Sequence, residues 1–357
     1  MSHKSPICES KQVSVVTQVP LCVVGTERCV TQVPDDKIEN NIESLAYRGV
    51  TSQLSSIPSK DFKSGFVSVI GRPNSGKSTL LNHLLGQKVL IMSDKPQTTR
   101  NRIQCILTEE RGQVVFLDTP GIHKPRHKLG EYMVGKAKES MRDVDVILYM
   151  VDLTAEYGPG EEYIIEMLKH AKSPCVLVFN KVDLLVSKDM LMHKIQKYSA
   201  LVDFTAVVPI SAKTGENTDE LLNVIFAQLS KGPMYYPEDE VTDQPERFIM
   251  AELVREKVLQ LTHDEIPHSI AVVIEEVEEK KTLVKVRALI VVERESQKGI
   301  VIGAGGKQLK EISSLARLDI EALLGSKVFL EVWVKVKKDW RNRPDSLRNY
   351  GYGKERE

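Results

Sequence analysis

Short apolar runs, separated by longer stretches, begin at Phe66 and continue to about residue 210. Each run has the length and composition of a strand buried on both faces, and most intervening stretches have the period of an amphipathic helix, as at 161–170 and 219–229. Strands that alternate with helices predict a mostly parallel sheet covered on both faces, to which 102–108 adds a strand. The apolar runs lie at 66–70, 114–117, 146–151, 175–179 and 207–210.

The pattern changes after a proline-rich, acidic stretch at 232–247, which predicts a linker. In the last strand beyond it, apolar residues from Val328 to Val336 alternate with Phe329, Glu331, Trp333 and other residues. This alternation predicts one fully buried face and one face that is at least partly exposed. The elements predicted after the linker are a helix at 248–261, strands at 268–277 and 283–292, a short helix before Gly303, a helix at 307–324 and a strand at 328–336.

These patterns divide the chain into five segments. Residues 1–64 show no sustained period and are predicted to be a disordered extension. Only one acid, Glu9, occurs in the first 26 residues, so a cleaved leader stays an open alternative. The other segments are an α/β domain at 65–231, the linker at 232–247, a smaller α+β domain at 248–340 and a basic C-terminal tail at 341–357.

The composition fits this division. The 357 residues suffice for about two domains, and 41% apolar with 27% charged residues excludes a disordered or collagen-like chain. The net charge of zero conceals a split, because residues 285–357 carry 16 basic and 10 acidic groups, a net +6. A basic end on a neutral chain indicates that this part meets a polyanion.

Cysteine content and hydropathy narrow the setting of the protein. The five cysteines contain no C-x-x-C spacing, which favours free thiols in a reducing compartment over a disulfide framework or a zinc site. The longest apolar run, at 146–151, has six residues, far fewer than the roughly 20 that a membrane-spanning helix needs.

A phosphate-binding loop follows the first predicted strand and opens a helix. The sequence from Gly71 to Ser78 reads GRPNSGKS, in which glycines let backbone N–H groups surround phosphates. Lys77 is expected to reach the β- and γ-phosphates, and Ser78 to place its hydroxyl on Mg²⁺.

Three further motifs each follow a predicted strand. In DTPG, Asp118 is expected to orient Mg²⁺ and the Gly121 amide to sense the γ-phosphate. In NKVD, the Asp183 carboxylate accepts from both guanine donors, a pair that adenine lacks, and the amides of SAK at 211–213 meet the guanine oxygen. Because open α/β sheets bind ligands at the carboxyl ends of their strands, the four motifs together predict a guanine-nucleotide site.

Three positions near this site carry open questions. Thr98 and Thr99 both lie in a loop where one threonine completes the Mg²⁺ shell, and we favour Thr99. Ile122 stands where many GTPases have a glutamine that positions water, so hydrolysis is expected to be slow or assisted from elsewhere. Asn74 either helps to hold a monovalent cation such as K⁺ or braces the loop.

The predicted nucleotide site follows from these motifs. Catalytic roles are assigned to Lys77, Thr99, Asp118 and Gly121, and Mg²⁺ ligation to Ser78, Thr99 and Asp118. The predicted nucleotide-binding residues are Gly71, Arg72, Pro73, Asn74, Ser75, Gly76, Lys77, Ser78, Asp118, Thr119, Pro120, Gly121, Ile122, Asn180, Lys181, Val182, Asp183, Ser211, Ala212 and Lys213.

A glycine loop between two predicted helices forms the second candidate site. Bare glycines let an RNA backbone approach closely, and KH domains use a G-x-x-G loop to clamp about four nucleotides. A plain glycine turn between packed helices is the alternative. The predicted RNA-binding residues are Gly303, Ala304, Gly305, Gly306, Lys307 and Lys310. Further phosphate attraction is expected from Lys335, Lys337, Lys338, Arg341 and Arg343, for which a solvated, charged strand end is the alternative.

These motifs resemble the Era GTPases over residues 65–352. The resemblance rests on GRPNSGKS, PQTTRN, DTPGIHKP, NKVD, the linker residues YYP and TDQPERF, and SQKG. It implies a Ras-like P-loop GTPase domain at 65–231 and a type II KH domain at 248–340. Ala304 stands where a lysine is common in that family, which removes one possible phosphate contact.

The resemblance also implies a function. Era proteins hydrolyse GTP to GDP and phosphate with Mg²⁺, bind small-subunit (16S) ribosomal RNA near its 3′ end and act in 30S assembly. We therefore expect a monomer in the cytoplasm with peripheral membrane association, or, as the second choice, in an organelle of bacterial ancestry. The alternative function is an RNA-binding scaffold whose nucleotide pocket is mainly structural.

Overall fold

The computed structural model describes residues 61–353 with the exception of 96, 123, 124, 126, 186, 264 and 265. These residues belong to one compact unit. Most of the predicted extension, up to residue 60, and the last four residues of the predicted tail lie outside the described residues. Cys105 and Cys175 are buried free thiols, and the other three cysteines fall in the undescribed part.

Six strands form one sheet in the first domain: β1 (Lys63–Gly71), β2 (Ile103–Glu109), β3 (Gly112–Asp118), β4 (Val146–Asp152), β5 (Cys175–Asn180) and β6 (Ala206–Ile210). Their order across the sheet is β2-β3-β1-β4-β5-β6. β2 runs antiparallel to β3, and the other neighbours are parallel. The predicted mostly parallel sheet, with its added strand, is thus confirmed.

Helices cover both faces of this sheet: α1 (Lys77–Leu85), α2 (Lys128–Glu139), α3 (Pro159–Leu168), α4 (Lys188–Ser199) and α5 (Thr218–Gln228). Successive residues of a strand point to opposite faces, so Val69 packs in the cluster that holds Leu80 of α1, whereas Ile70 packs in the cluster that holds Ile164 of α3. Two apolar layers therefore enclose the sheet and fix the carboxyl ends of its strands.

The linker is held against the first domain. The Ile106 N–H donates to the Val241 carbonyl at 3.0 Å, and the Thr242 hydroxyl donates to the Gln104 carbonyl at 2.7 Å, so the linker lies along the outer edge of β2. The side chain of Gln113 accepts from the Tyr235 and Tyr236 amides and donates to the Tyr236 carbonyl. The helix that follows the linker begins at residue 246, two residues before its predicted start.

The second domain has the predicted order of elements: α6 (Glu246–Leu261), α7 (Ile266–Ser269), β7 (Ala271–Lys280), β8 (Leu283–Val292), α8 (Glu295–Ile302), α9 (Lys307–Leu324) and β9 (Val328–Val336). The sheet order is β7-β8-β9, with β8 antiparallel to β7 and parallel to β9. The strand predicted from residue 268 begins at Ala271 instead, because Pro267 and its neighbours form the short helix α7.

β9 is the outer strand beside β8, and its burial is weaker than predicted. Only Val328 on its apolar face is fully buried; the remaining apolar residues of that face are half-buried against the core. An outer strand has a neighbour on one side alone, which explains the difference.

The segment predicted as a basic tail is folded as far as residue 353. A 3₁₀ turn at Trp340–Asn342 and helix α10 (Pro344–Asn349) bring Trp340, Leu347 and Tyr352 into one buried cluster. That cluster also contains Leu129 and Met133 of α2, so the C-terminal segment joins the two domains. Within the described ranges, no helix combines the length and apolarity that crossing a membrane requires.

Candidate nucleotide cleft and RNA-binding loop

A cleft of about 590 Å³ opens at the carboxyl ends of β1, β3, β5 and β6. All four predicted motifs reach this edge, as expected for ligand binding by an open α/β sheet. The predicted residues that line it are Pro73, Asn74, Gly76, Lys77, Ser78, Thr99, Gly121, Asn180, Lys181, Asp183, Ala212 and Lys213.

The phosphate-binding loop leads directly into the N-terminus of α1. Gly76 has φ +97°, and a Cβ there would lie 2.1 Å from the Asn180 amide nitrogen, so only glycine fits. The Lys77 ammonium donates to the Arg72 carbonyl at 3.0 Å. Burial lowers the pKa of Lys77 to about 8, against an opposing effect of Asp118. An anionic phosphate beside this ammonium would favour its charged form.

Three oxygens converge where a cation would bridge to the phosphates. Oδ2 of Asp118 accepts from the Ser78 hydroxyl at 3.0 Å and from the Thr99 hydroxyl at 3.1 Å. Oδ1 of Asp118 is buried and has no hydrogen-bond partner among the described residues. Burial raises the pKa of Asp118, although Lys77 and the two hydroxyls oppose the shift. Hard oxygen ligands and an unpartnered buried carboxylate oxygen fit Mg²⁺.

The two adjacent threonines face different ways. The Thr99 hydroxyl lies 3.0 Å from that of Ser78, whereas the Thr98 hydroxyl donates to the Lys95 carbonyl at 2.7 Å. This geometry supports Thr99 as the Mg²⁺ ligand, and the assignment stays a prediction.

The base-binding end of the cleft is built by mutual contacts. The Asn180 side chain donates to the Ser75 carbonyl at 2.8 Å and accepts from the Ala212 amide at 2.9 Å, which ties the phosphate loop to the base loop. The Ser211 hydroxyl donates to Oδ1 of Asp183 at 2.7 Å. A carboxylate held in this way keeps acceptor sites that could take the two donors of guanine, which supports the predicted role of Asp183.

The other predicted residues do not line the cleft itself: Gly71, Arg72, Ser75, Asp118, Thr119, Pro120, Ile122, Val182 and Ser211. Ile122 is 1% exposed and packs in the core below α3, so its side chain offers no polar group to the reaction. The Asn74 amide donates to the Asp94 carbonyl at 2.5 Å, which is the loop-bracing contact; the K⁺ role stays a prediction.

Sequence reasoning missed seven residues that line the cleft. Except for Gln97, which lies in the PQTTRN motif, no motif includes them: Thr79, Ile91, Met92, Ser93, Asp94, Gln97 and Leu184.

The glycine loop of the second domain has the backbone that its sequence requires. Gly303, Gly305 and Gly306 all have positive φ, at 72°, 59° and 80°. A Cβ on Gly303 would lie 2.7 Å from the Cβ of Gln308. Ala304, Gly305, Lys307 and Lys310 are exposed, and neither lysine forms an ion pair with another described residue.

The additional basic residues are not equivalent. Lys335, Lys337, Lys338 and Arg343 are exposed, whereas Arg341 pairs with Glu293 at 2.6 Å. Arg341 is thus engaged within the protein, and its predicted contribution to phosphate attraction is weakened.

Two buried arginines, which sequence reasoning also missed, connect the domains. Nη2 of Arg255, on α6, donates to the Thr98 carbonyl, and the same guanidinium pairs with Glu252. Arg100, next to Thr99, donates to the Ile270 carbonyl at 2.5 Å and to the Pro267 carbonyl at 3.1 Å. The loop that carries Thr99, the predicted Mg²⁺ ligand, is therefore bonded directly to the second domain.

A phosphate loop, a magnesium carboxylate and a guanine-type base loop on one sheet edge define a P-loop GTPase, here followed by a KH fold. Residues 66–181 match the model of a family described as 50S ribosome-binding GTPase, and residues 265–341 match that of the KH domain. A crystal structure of Era in complex with MgGDPNP and nucleotides 1506–1542 of 16S ribosomal RNA is 42% identical to this chain, with TM-score 0.80, over 82% of this chain and 100% of that chain. The chain therefore belongs to the Era family of GTPases.

A second Era structure gives the same result. A variant of Aquifex aeolicus Era with one substitution, bound to GDP.AlF4⁻, is 42% identical to this chain, with TM-score 0.79 and the same coverage of both chains. Identity at this level over the whole of both Era chains confirms the predicted fold class and family.

Proposed function

We propose that this protein is a GTP-hydrolysing switch that binds small-subunit ribosomal RNA near its 3′ end through the KH domain and acts in assembly of the 30S subunit. The 16S fragment bound to the related Era supports the RNA class. The family description that mentions the 50S subunit covers the GTPase domain alone, whereas the Era match includes the KH domain, so the small subunit is favoured.

The residues of the cleft divide the work of binding and hydrolysis. Lys77 and the backbone of the phosphate loop hold the phosphates, and Asp183 selects the base. Mg²⁺, held by Ser78, Thr99 and Asp118, would neutralise charge that develops on the phosphates. Because Ile122 cannot orient water, a group from elsewhere must do so, and RNA or a monovalent cation beside Asn74 are the candidates to test.

The contact between Arg255 and the Thr98 carbonyl carries the switch proposal. A loop that is ordered by the γ-phosphate through Thr99 pulls on the neighbouring Thr98, whose carbonyl is bonded to the KH domain. This route runs through α6 itself, so the linker, which is fixed on the first domain, need not move for the signal to pass.

Two measurements test this function. RNA affinity is compared with a GTP analogue and with GDP bound, and phosphate release is measured in Mg²⁺ with K⁺ or Na⁺, with and without RNA. We expect nucleotide-dependent RNA affinity and GTP turnover that RNA or K⁺ accelerates. Equal RNA affinities in the two nucleotide states would overturn the coupling. Absence of GTP turnover in every condition would favour the alternative function, an RNA-binding scaffold, which is consistent with Ile122 in place of a water-positioning glutamine.

Location and assembly state belong to the same proposal. A cytoplasmic monomer with peripheral membrane association is the expectation that the family resemblance supplies. Sedimentation of the purified protein alone and with anionic lipid vesicles tests both points.

A further inference from the structure

Two aromatic side chains stand exposed on the outer face of β9, away from the helices. Trp333 is 61% exposed and Phe329 is 50% exposed. Trp333 has the largest exposed fraction of any large apolar side chain in the described part of the chain. A single exposed apolar residue is common on protein surfaces, but two large aromatic residues on one strand face indicate a binding surface.

The C-terminal segment covers only one end of this sheet face. Trp340, Leu347 and Tyr352 pack on Ala271 and Val291, at the end where β7 begins. Leu289 lies beside Trp333 in register and is half-buried at the margin of this cluster. Trp333 and Phe329 on β9 are therefore the apolar side chains of this face that the cluster leaves exposed.

The charges around the aromatics favour an anionic partner. Glu331, between Phe329 and Trp333, is matched by Arg287 at 3.5 Å and by Lys285 at 3.8 Å. The exposed Lys335, which follows Trp333 on the same face, forms no ion pair with another described residue. Residues two apart on a strand are about 6.6 Å apart, so a base stacked on Trp333 would place its phosphate within reach of that ammonium.

The strand that carries these aromatic residues also contacts the two helices that hold the proposed RNA clamp. Helices α8 and α9, which flank the Gly303–Gly306 loop, pack against β9, whereas α6 packs against β7. Because β9 is the outer strand, its free edge separates the face that α8 and α9 cover from the face that carries Trp333. A nucleic acid chain that leaves the glycine loop would have to pass this edge to reach Trp333.

We propose that the outer face of β9 is a second RNA-binding surface, on which bases of a single-stranded segment stack on Trp333 and Phe329 while Lys335 and Lys337 contact its phosphates. Stacking of bases on aromatic side chains of a sheet is an established mode of single-strand recognition. The inference rests on the proposed RNA-binding function and extends its site beyond the clamp.

The two tryptophans of the chain provide a direct test, because Trp340 is buried while Trp333 is exposed. Fluorescence is followed while the full-length protein is titrated with a single-stranded fragment of the 16S 3′ end of about 12 nucleotides. We expect quenching in the wild type and none in W333F, which keeps Trp340 as an internal reference. Unchanged emission of the wild type at saturating RNA would overturn the proposal.

Affinity measurements separate the face from the clamp. W333A should weaken binding of the long fragment about fivefold or more. It should leave binding of a fragment of about four nucleotides, which fills the clamp alone, unchanged. M192A, which truncates a side chain 54% exposed on α4, is the matched control and should bind both fragments normally.

The outcomes are distinguishable. If the wild type binds neither fragment, the proposed RNA-binding function fails. If W333A binds both fragments as the wild type does, RNA binding by the glycine loop is retained and the proposed second RNA-binding surface is refuted. The aromatic face would then be a candidate for binding a protein partner.

Discussion

In the nucleotide cleft, side chains such as Asn180 and Asp183 are held by hydrogen bonds to other residues of the site, whereas the glycine loop offers backbone groups with no side chain in front of them. The Asn180 side chain joins the phosphate loop to the base loop. Gly303 and Gly306 instead contribute positive φ angles and an open approach. The cleft is expected to select its nucleotide through hydrogen bonds from fixed side chains, whereas the loop is expected to bind RNA because the phosphate backbone can approach it closely. Substitutions should therefore act differently at the two sites.

Loss of base recognition should give the largest effect. D183N exchanges a carboxylate that accepts from two guanine donors for an amide that cannot, and the preference for GTP over other nucleoside triphosphates should fall about 100-fold or more. Competition binding of GTP, ATP and XTP measures it. D203N, an exposed Asp in the same domain, is the control, and retained guanine selectivity in D183N would contradict the base assignment.

The glycine loop should respond in RNA binding alone. G303D/G306D places side chains and negative charge where a phosphate backbone must approach, so RNA affinity should drop about tenfold or more while GTP hydrolysis stays near normal. G325D introduces the same change at another positive φ, in open space at the far end of α9. If RNA binding survives in the double variant, the clamp lies elsewhere.

The contact between the two regions should give an intermediate effect. E252Q/R255M removes the bond to the Thr98 carbonyl without leaving a carboxylate unpaired. The ratio of RNA affinities with GTP analogue and GDP should fall from a typical allosteric factor of about 5–150 to near one. Matched substitutions in an ion pair of α9, E321Q/R317M, should preserve the ratio; a preserved ratio in the first variant would exclude this route.

Ion pairs at Asp319 of α9 join the two domains and should give the smallest effect. Asp319 pairs with Lys88 of the first domain at 2.9 Å and with Lys257 of α6 at 2.6 Å. Burial alone would raise the pKa of Asp319, but hydrogen bonds from Lys257 and Lys88 outweigh it and hold the pKa below 3.8. Its stabilisation is thus complete at neutral pH and is lost as the pH falls from about 4 toward the folded-state pKa. Denaturant unfolding should show D319N about 1 kcal/mol less stable than wild type at pH 7 and closer to it at about pH 3.5. An equal difference at both pH values would contradict this account.

The comparison also explains what the sequence could predict. The cleft motifs could be predicted from the sequence because each is a short run of residues directly after a predicted strand. Parallel topology then brings Asp118 and Asp183 to one edge of the sheet. The contacts of Arg255 and Arg100 could not be predicted, because their partners lie 157 and 170 residues away along the chain. Those partners are backbone carbonyls, which carry no sequence signature. The packing of Trp340 on α2 likewise depends on how two domains meet, and the local pattern there was merely basic and proline-containing.

Because the linker is hydrogen-bonded to β2, the structural boundary of the first domain lies beyond the boundary predicted from the sequence. Backbone groups of Ile106 and Gln104 are satisfied by Val241 and Thr242, beyond the predicted domain boundary at residue 231. A fragment cut at that boundary would leave a bare strand edge, the kind of surface that recruits other molecules into aggregates. A fragment of the first domain should therefore extend to Pro245. The linker residues cover the edge of β2 and protect the first domain from edge-to-edge association.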